Sequence, residues 1–184
     1  VALRIDAART ATWYVGVFPF AIGRELSAEV PLRDARVSRR HAEVLASDAG
    51  FVLRDSKSRN GTLLAGMPIA GELPLPPEGE IGLGDAVSLS FRVEGQALSL
   101  SVVRGTDRGL TAIASPAPIP LVGGAALLRF DEGRPLLRPG PGHRLILNGA
   151  RAGAEIQLLR GDQIEVRVEG VYAEPARIVV ESGE

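Results

Sequence analysis

Three short groups of polar residues, all between residues 23 and 62, carry the chemistry of this sequence. They are Gly23-Arg24, then Val37-Ser38-Arg39-Arg40-His41, then Asp55-Ser56-Lys57-Ser58-Arg59-Asn60-Gly61-Thr62. Arginine gives forked, charge-assisted hydrogen bonds, serine and asparagine add neutral donors, and exposed backbone N–H groups in turns add more. Together these donors suit a dianionic phosphate ester.

Apolar, strand-like segments separate the three groups and must hold them in position. Glycine, proline, asparagine and aspartate interrupt the chain at short intervals, as in an all-β sandwich. Ser38–Ala46 could instead open a helix with Ser38 as its N-cap, but the segment is too short for a stable helix. We therefore predict strands at Val1–Ile5, Trp13–Phe18, Ala42–Leu45, Phe51–Arg54, Thr62–Leu64, Val87–Val93 and Ala97–Val103.

Taken in order and at this spacing, the three groups resemble those of a forkhead-associated (FHA) domain. The resemblance extends over residues 1–104, and it is specific because all three groups occur in sequence between strand-like segments. It implies an eleven-stranded β-sandwich that binds phosphothreonine peptides through loops at one end. One departure is visible, because a second Asn-Gly that is frequent in the family is replaced here by Ala65-Gly66.

The resemblance also implies a role for each singled-out residue. Contact with the phosphopeptide is expected of Arg24, Ser38, Arg39, Arg59 and Asn60. Structural roles in the loops are expected of Gly23, His41, Gly61 and Thr62. Of the structural set, His41 is expected to tie the loop together by hydrogen bonds, and Gly61 to supply a positive φ angle.

The composition limits the remaining possibilities. The 184 residues allow one or two domains with real cores, and the formal net charge of −1 gives no reason to expect nucleic acid or an acidic membrane as partner. The absence of cysteine excludes disulfides and thiolate metal sites and fits a reducing compartment. No apolar run approaches the length of a membrane span. We therefore expect a cytoplasmic location, with this chain being a soluble domain of a larger protein.

The second part of the sequence repeats the first in weakened form. A shift of 83 positions aligns residues 42–66 with 125–149 without a gap. The FHA-like repeat extends over about 108–184 and predicts a degenerate, truncated β domain at 121–184, joined to domain 1–104 by a proline-containing linker at 105–120. Its predicted strands include Ala126–Phe130, Leu145–Leu147 and Gln163–Val168, with Asn148-Gly149 in a tight turn. Its predicted core is Leu127, Leu136, Leu145, Leu147, Ile164 and Val166.

The chemistry of the first part is missing from the repeat. Under the shift, Arg24 corresponds to Asp107, Ser38 to Leu121, His41 to Gly124, and Arg59-Asn60 to Gly142-His143. An acid in place of arginine would repel a phosphate, and leucine offers no donor. Since the unit is also short for the family, we expect it to bind no phosphopeptide and to need cover from the first domain.

Other functions fit these residues less well. A hydrolase built on Ser38 and His41 lacks an orienting acid and an oxyanion motif. Two histidines and no cysteine make a metal site improbable. The arginines at 33, 36, 39 and 40 lack the interleaved aromatics of a nucleic-acid surface. Ser115–Pro120, with its alternating prolines, is better explained as a stiff connector than as a ligand for a proline-reading domain.

The sequence thus predicts a non-catalytic module without a cofactor that recognises phosphothreonine on a partner protein. An upstream serine/threonine kinase is implied, in signalling or in regulated assembly. The alternative is a phosphate-independent interaction scaffold in which the phosphate site is vestigial, since fold by itself does not exclude it.

Overall fold

The computed structural model describes residues 2–7, 10–170 and 173–181. Within these residues the chain is built from strands, with one turn of 3-10 helix at Val122–Gly124 and no α-helix. The predicted all-β class is therefore confirmed, and Ser38–Ala46 contains a strand rather than a helix. No helix in the described part of the chain is long and apolar enough to cross a membrane.

Among the described residues before position 105 there are twelve strands, one more than expected, and several are only two or three residues long. They are β1 Ala2–Ala7, β2 Thr10–Val15, β3 Phe20–Gly23, β4 Val30–Pro31, β5 Ala42–Ser47, β6 Gly50–Asp55, β7 Thr62–Leu64, β8 Met67–Pro68, β9 Glu72–Pro74, β10 Glu78–Leu83, β11 Val87–Glu94 and β12 Ala97–Arg104. The first predicted strand began at Val1, which lies outside the described residues.

Nine further strands follow. They are β13 Thr111–Ala114, β14 Ile119–Leu121, β15 Ala126–Asp131, β16 Arg134–Pro139, β17 His143–Leu147, β18 Ala150–Arg151, β19 Ile156–Gln157, β20 Gln163–Val168 and β21 Ala176–Val180. Three of them, β15, β17 and β20, match the strands that the repeat predicts.

The strands form one long sheet and two short ones. The long sheet has the order β18-β17-β20-β21-β1-β2-β13-β12-β11-β10-β7-β8. A five-stranded sheet, β4-β3-β5-β6-β9, covers the half that contains β7, β8 and β10 to β13, and a four-stranded sheet, β14-β15-β16-β19, covers the other half. The sandwich predicted from the sequence is present, and its two halves have one sheet in common.

The N-terminal hairpin β1–β2 lies at the centre of the long sheet and contributes to both hydrophobic cores. Because side chains alternate between the two faces of a strand, the hairpin can serve both. Val15 belongs to the first core, whereas Leu3, Ile5 and Tyr14 belong to the second. Strand β1 pairs with β21, so the beginning of the chain contributes a neighbouring strand to the second unit.

The predicted linker at 105–120 contains two strands and is thus not a simple connector. Strand β13 pairs with β12 and runs parallel to β2, and strand β14 is the edge of the four-stranded sheet. The alternating prolines begin only at Pro116, after β13 has ended. The partner β2 lies about a hundred residues earlier in the chain, where a local sequence pattern gives no sign of the pairing.

Two members of the predicted second core face the wrong way. Leu127 and Leu136 are half-buried, while their neighbours Leu128 and Leu137 are both fully buried. Because the side-chain period of a strand is two, a one-residue error moves a leucine to the opposite face. Runs of adjacent leucines on β15 and β16 do not reveal which face is apolar. The other four predicted members contribute to this core, with Leu147 only partly buried.

Candidate functional site

The five residues predicted to contact a phosphopeptide line a single cleft of about 740 Å³. Three loops form it: the β3–β4 loop, the β4–β5 loop and the β6–β7 loop. The sequence prediction missed four further charged residues of the lining, Glu25, Arg36, Arg40 and Lys57. Each of them lies one or two positions along the chain from a predicted contact residue, and this proximity was the sequence signal that could have identified them.

Gly23 and Arg24 fix the contact between the first two loops. A Cβ atom on Gly23 would lie 2.1 Å from the carbonyl oxygen of Arg39, so only glycine permits this approach. The Arg24 backbone N–H donates to the Ser38 carbonyl (2.9 Å) and its Nε to the Val37 carbonyl (3.2 Å). The arginine is thereby held along the second loop, and it lines the cleft.

His41 ties the second loop to the third. Its side chain is fully buried; Nδ1 accepts a hydrogen bond from the Ser38 backbone N–H (3.2 Å), and Nε2 lies 3.0 Å from the Gly61 carbonyl. Since Nδ1 accepts, the proton is on Nε2, which donates to Gly61. Burial lowers the pKa of His41, and the neutral ring is therefore the stable form.

The third loop is built on Asp55 and is held against the second by two further bonds. The Asp55 carboxylate accepts from Ser58 Oγ (2.6 Å) and Thr62 Oγ1 (2.6 Å). Burial would raise the pKa of Asp55, but these hydrogen bonds outweigh it and the pKa is lowered. The Arg59 N–H donates to Ser38 Oγ (3.0 Å), and Asn60 Nδ2 donates to the Arg36 carbonyl (2.8 Å). Asp55 was not among the predicted site residues.

Six cations and one carboxylate line the cleft, and the cations fall into two classes. Arg36 makes a forked pair with Asp34, and Arg40 pairs with Glu43 (3.0 Å) and Glu25 (3.5 Å). The other four make no ion pair with any residue that the structure describes; they are exposed, and they are Arg24, Arg39, Lys57 and Arg59. The cleft therefore carries an excess of positive charge.

The turn between β12 and β13 supports the second loop from behind. The buried Asp107 carboxylate accepts from the Arg33 backbone N–H (2.6 Å) and from Arg33 Nε (2.8 Å). Thr106 Oγ1 donates to Asp34 (3.2 Å), and hydrogen bonds from Arg36, with a smaller one from Thr106, lower the pKa of Asp34 to about 2. These contacts cross between distant parts of the chain, and no sequence signal predicted them.

The residues that the shift of 83 positions aligns with the cleft residues have other structural roles. Asp107, the counterpart of Arg24, holds Arg33, and Leu121, the counterpart of Ser38, is buried in the second core. Gly124 has a φ angle of 89°, and Nδ1 of His143 donates to the Pro141 carbonyl at 2.7 Å. No group of three or more metal-ligating side chains occurs among the described residues of either unit.

Comparison with known proteins bears on this cleft directly. The family model of the FHA domain matches residues 20–84, and no curated protein matches the chain. Among solved structures, the FHA-1 domain of Rv1747 from Mycobacterium tuberculosis is 21% identical with a TM-score of 0.40, and the alignment covers 50% of this chain and 95% of that domain. The CT664 FHA domain from Chlamydia trachomatis is 22% identical with a TM-score of 0.36, covering 46% and 90%.

A third similar structure is that of a longer protein. EmbR of Mycobacterium tuberculosis, solved in complex with a low affinity phosphopeptide, is 23% identical with a TM-score of 0.38. The alignment covers 46% of this chain and only 23% of the EmbR chain. The family match, by contrast, includes all three loops of the cleft. Residues 20–84 thus match the FHA domain, and the cleft lies inside these matched residues.

Proposed function

We propose that this chain is a non-catalytic interaction module that binds phosphothreonine-containing peptides in the cleft. The observation that carries the proposal is the set of four unpaired cations, which surround a cleft that also offers Ser38 and Asn60. A phosphothreonine brings about −1.5 to −2 charges and three strong acceptor oxygens. FHA domains are a recurring class of phospho-motif readers that act through arginine clusters.

The hydrogen bonds suggest a division of roles among the three loops. Arg24, Ser38 and Arg39 lie on the first two loops and would bind the phosphate. Ser38 Oγ accepts from the Arg59 N–H, so its own hydrogen remains available for a phosphate oxygen. Arg59 and Asn60 would contact the peptide backbone. Asn60 uses one amide hydrogen on Arg36, which leaves its other N–H and its Oδ1 for a ligand.

The arrangement of Ser38 and His41 supports a role in binding rather than in catalysis. A serine nucleophile requires a base that accepts the proton of its Oγ. Here His41 Nδ1 is occupied by the backbone N–H of Ser38, and Nε2 by the Gly61 carbonyl. The ring thus has no free nitrogen for the hydroxyl.

A phosphothreonine ligand implies a kinase that produces it. We therefore propose a serine/threonine kinase upstream of this interaction, and we propose a cytoplasmic setting for it.

A phosphopeptide array followed by titration tests the proposal. The best peptide should be prepared with phosphothreonine, phosphoserine and unmodified threonine and titrated by calorimetry. We expect binding of the phosphothreonine form and at least tenfold weaker binding of the unmodified form, since charge-assisted hydrogen bonds contribute about 1.5–3 kcal/mol each. Equal affinity for the phosphorylated and unmodified peptides would favour the phosphate-independent scaffold instead.

A further inference from the structure

One exposed threonine outside the cleft is bonded to the buried acid that shapes the second loop. Thr106 lies in the turn between β12 and β13 and is exposed. Its Oγ1 donates a hydrogen bond of 3.2 Å to Oδ2 of Asp34, which is buried. We propose that Thr106 is a phosphorylation site whose modification weakens peptide binding in the cleft. The inference rests on the proposed function and names a means of regulating it.

Asp34 connects Thr106 with two of the three loops of the cleft. Its carboxylate accepts from the backbone N–H of Arg36 (3.0 Å) and forms the forked pair with the Arg36 guanidinium, and its own carbonyl accepts from the Val37 N–H (3.1 Å). The Arg36 carbonyl in turn accepts from Asn60 Nδ2 of the third loop (2.8 Å). Since Arg36, Val37 and Asn60 all line the cleft, a displacement of Asp34 changes its shape.

A phosphate on Thr106 is incompatible with the present position of Asp34. The separation of 3.2 Å between Oγ1 and Oδ2 leaves no room for a phosphoryl group, and esterified Oγ1 has no hydrogen to donate. The phosphate also adds about −1.5 to −2 charges next to two buried carboxylates, those of Asp34 and the adjacent Asp107. Phosphorylation beside aspartate disrupts local structure by repulsion of like charges.

The cations around the turn would add to this disruption. Asp107 is held by the Arg33 N–H (2.6 Å) and by Arg33 Nε (2.8 Å), and Asp34 is held by Arg36. Both guanidinium side chains are largely exposed, so they can turn towards a phosphate on the neighbouring Thr106. A phosphate competes with a carboxylate for a guanidinium, and each arginine that turns leaves its aspartate buried without a partner.

The modification is the transfer of a phosphoryl group from a nucleoside triphosphate by a serine/threonine kinase. Thr106 Oγ1 attacks the terminal phosphorus, the bond from that phosphorus to the nucleoside diphosphate breaks, and the hydroxyl proton passes to a base of the kinase. Arg104 and Arg108 are exposed, two positions to either side of Thr106. A kinase with an acidic substrate groove therefore matches the charge of this turn.

The first experiment measures the effect of the phosphate on binding. The full chain is prepared with phosphothreonine at position 106 by an expanded genetic code, and its affinity for the best phosphothreonine array peptide is measured by fluorescence anisotropy. We expect affinity to fall by about three- to thirtyfold, the equivalent of one or two lost hydrogen bonds. The matched control carries phosphothreonine in place of Ser47, which is exposed at the end of β5 that points away from the second loop. It should bind like the unmodified chain.

A second readout follows the connection between Thr106 and the third loop without any ligand. The side-chain amide NMR signals of Asn60 should shift when position 106 carries the phosphate and stay in place when position 47 does. Thr106→Val removes only the hydrogen bond to Asp34 and should lower affinity by less than about threefold. A loss in Thr106→Val as large as that caused by the phosphate would show that the charge has no effect of its own.

The second experiment tests whether a kinase reaches Thr106 in the folded protein. The full chain and a peptide of residues 100–112 are incubated with ATP and a panel of basophilic serine/threonine kinases, and the modified positions are mapped by mass spectrometry. We expect phosphate on Thr106 in both. Modification of the peptide alone would show that the folded turn is closed to a kinase, and modification of neither would show that its arginines are not recognised. Either result overturns the proposal.

The remaining outcomes separate this inference from the proposed function. Equal affinities of the chains phosphorylated at positions 106 and 47 overturn the inference, while binding by the unmodified chain upholds the proposed function. A loss accompanied by a dimer in sedimentation velocity would mean that the cleft of a second copy captures the phosphate on Thr106, which also overturns it. If the unmodified chain binds no phosphopeptide, the proposed function fails, and this inference fails with it.

Discussion

The three loops of the first unit and their counterparts in the second unit differ in chemistry while the turns between their strands are alike. Ala65-Gly66 and Asn148-Gly149 adopt the same left-handed turn, with φ angles of 50° and 79° in one and 48° and 85° in the other. Both turns join two short antiparallel strands. The donors of the cleft have no such counterparts. The two units therefore share a turn and strands but not the donors of the cleft, because strands depend on apolar alternation and the site on a few polar side chains.

The two units also differ in how complete they are. The first has its own five-stranded sheet and a larger core, whereas the second obtains part of its core from the β1–β2 hairpin. The turn between β12 and β13, which lies outside the predicted second domain, supports the first unit's site. Asp107 in this turn, which the shift of 83 positions aligns with Arg24, supports the second loop through Arg33. The residue at this position therefore supports the cleft and does not line it.

Separating the units should produce the largest effect. We expect a fragment of residues 108–184 to lack a cooperative fold, because β21 would lose its partner β1 and the core would lose Leu3, Ile5 and Tyr14. Far-UV circular dichroism and amide NMR of the fragment measure this. A well-dispersed spectrum with a cooperative melt would show that the second unit does not depend on the hairpin.

The two histidines should differ strongly in their contribution to stability. His41→Ala removes a fully buried ring and both of its hydrogen bonds, so the free energy of unfolding should fall by about 2–4 kcal/mol. His143→Ala removes one exposed hydrogen bond and should change it by less than about 0.5 kcal/mol. Urea denaturation measures both. Equal losses would contradict the role of His41 in joining the loops.

Arg24 should matter for binding and little for stability. Arg24→Ala removes a charge-assisted contact with the phosphate, and affinity should fall by about ten- to a hundredfold. Arg151→Ala on β18 is the matched control and should bind like the wild type. Calorimetric titration with the best array peptide gives both values. An unchanged affinity in a folded Arg24→Ala protein would refute the assignment.

Substitutions at two asparagines should separate recognition from folding. Asn60→Ala, like Ser38→Ala, should lower affinity by about three- to tenfold with a small change in melting temperature. Asn148 instead bonds to Asp162 (2.9 Å) and to the Gln163 N–H (2.9 Å) within the second unit. Asn148→Ala should lower stability by about 1 kcal/mol and leave affinity unchanged. Loss of binding in Asn148→Ala would mean that the second unit takes part in recognition.

The smallest effect is a pH dependence of stability that comes from His41. Burial lowers its pKa in the folded state, so the unfolded state binds the proton more readily. The resulting stability is complete above the unfolded pKa of about 6.5 and decreases as the pH falls below it. Denaturation at pH 7 and pH 5 should show the loss in the wild type and in His143→Asn. In His41→Asn the difference should be smaller; an equal difference would assign the loss to another group.

The sequence by itself determined the all-β class and the order of the loop residues. The donors that line the cleft are close together in three segments, and each lies in a turn next to an apolar strand, so local pattern was sufficient. The repeat likewise predicted β15, β17 and β20 and the turn at Asn148-Gly149. The loop donors, these strands and this turn each depend on a short stretch of sequence, so a local pattern could predict them.

Only the tertiary structure decided how the two units are joined and which residues support the cleft. Ile5 pairs with Val180, β13 runs parallel to β2, and Asp107 binds Arg33. Each contact joins residues at least seventy positions apart. No local periodicity encodes such partners, because they depend on which strand edges and buried donors remain unsatisfied once both cores have formed. The second core likewise decided which leucines are buried: Leu128 and Leu137 face it, and Leu127 and Leu136 lie on the opposite face.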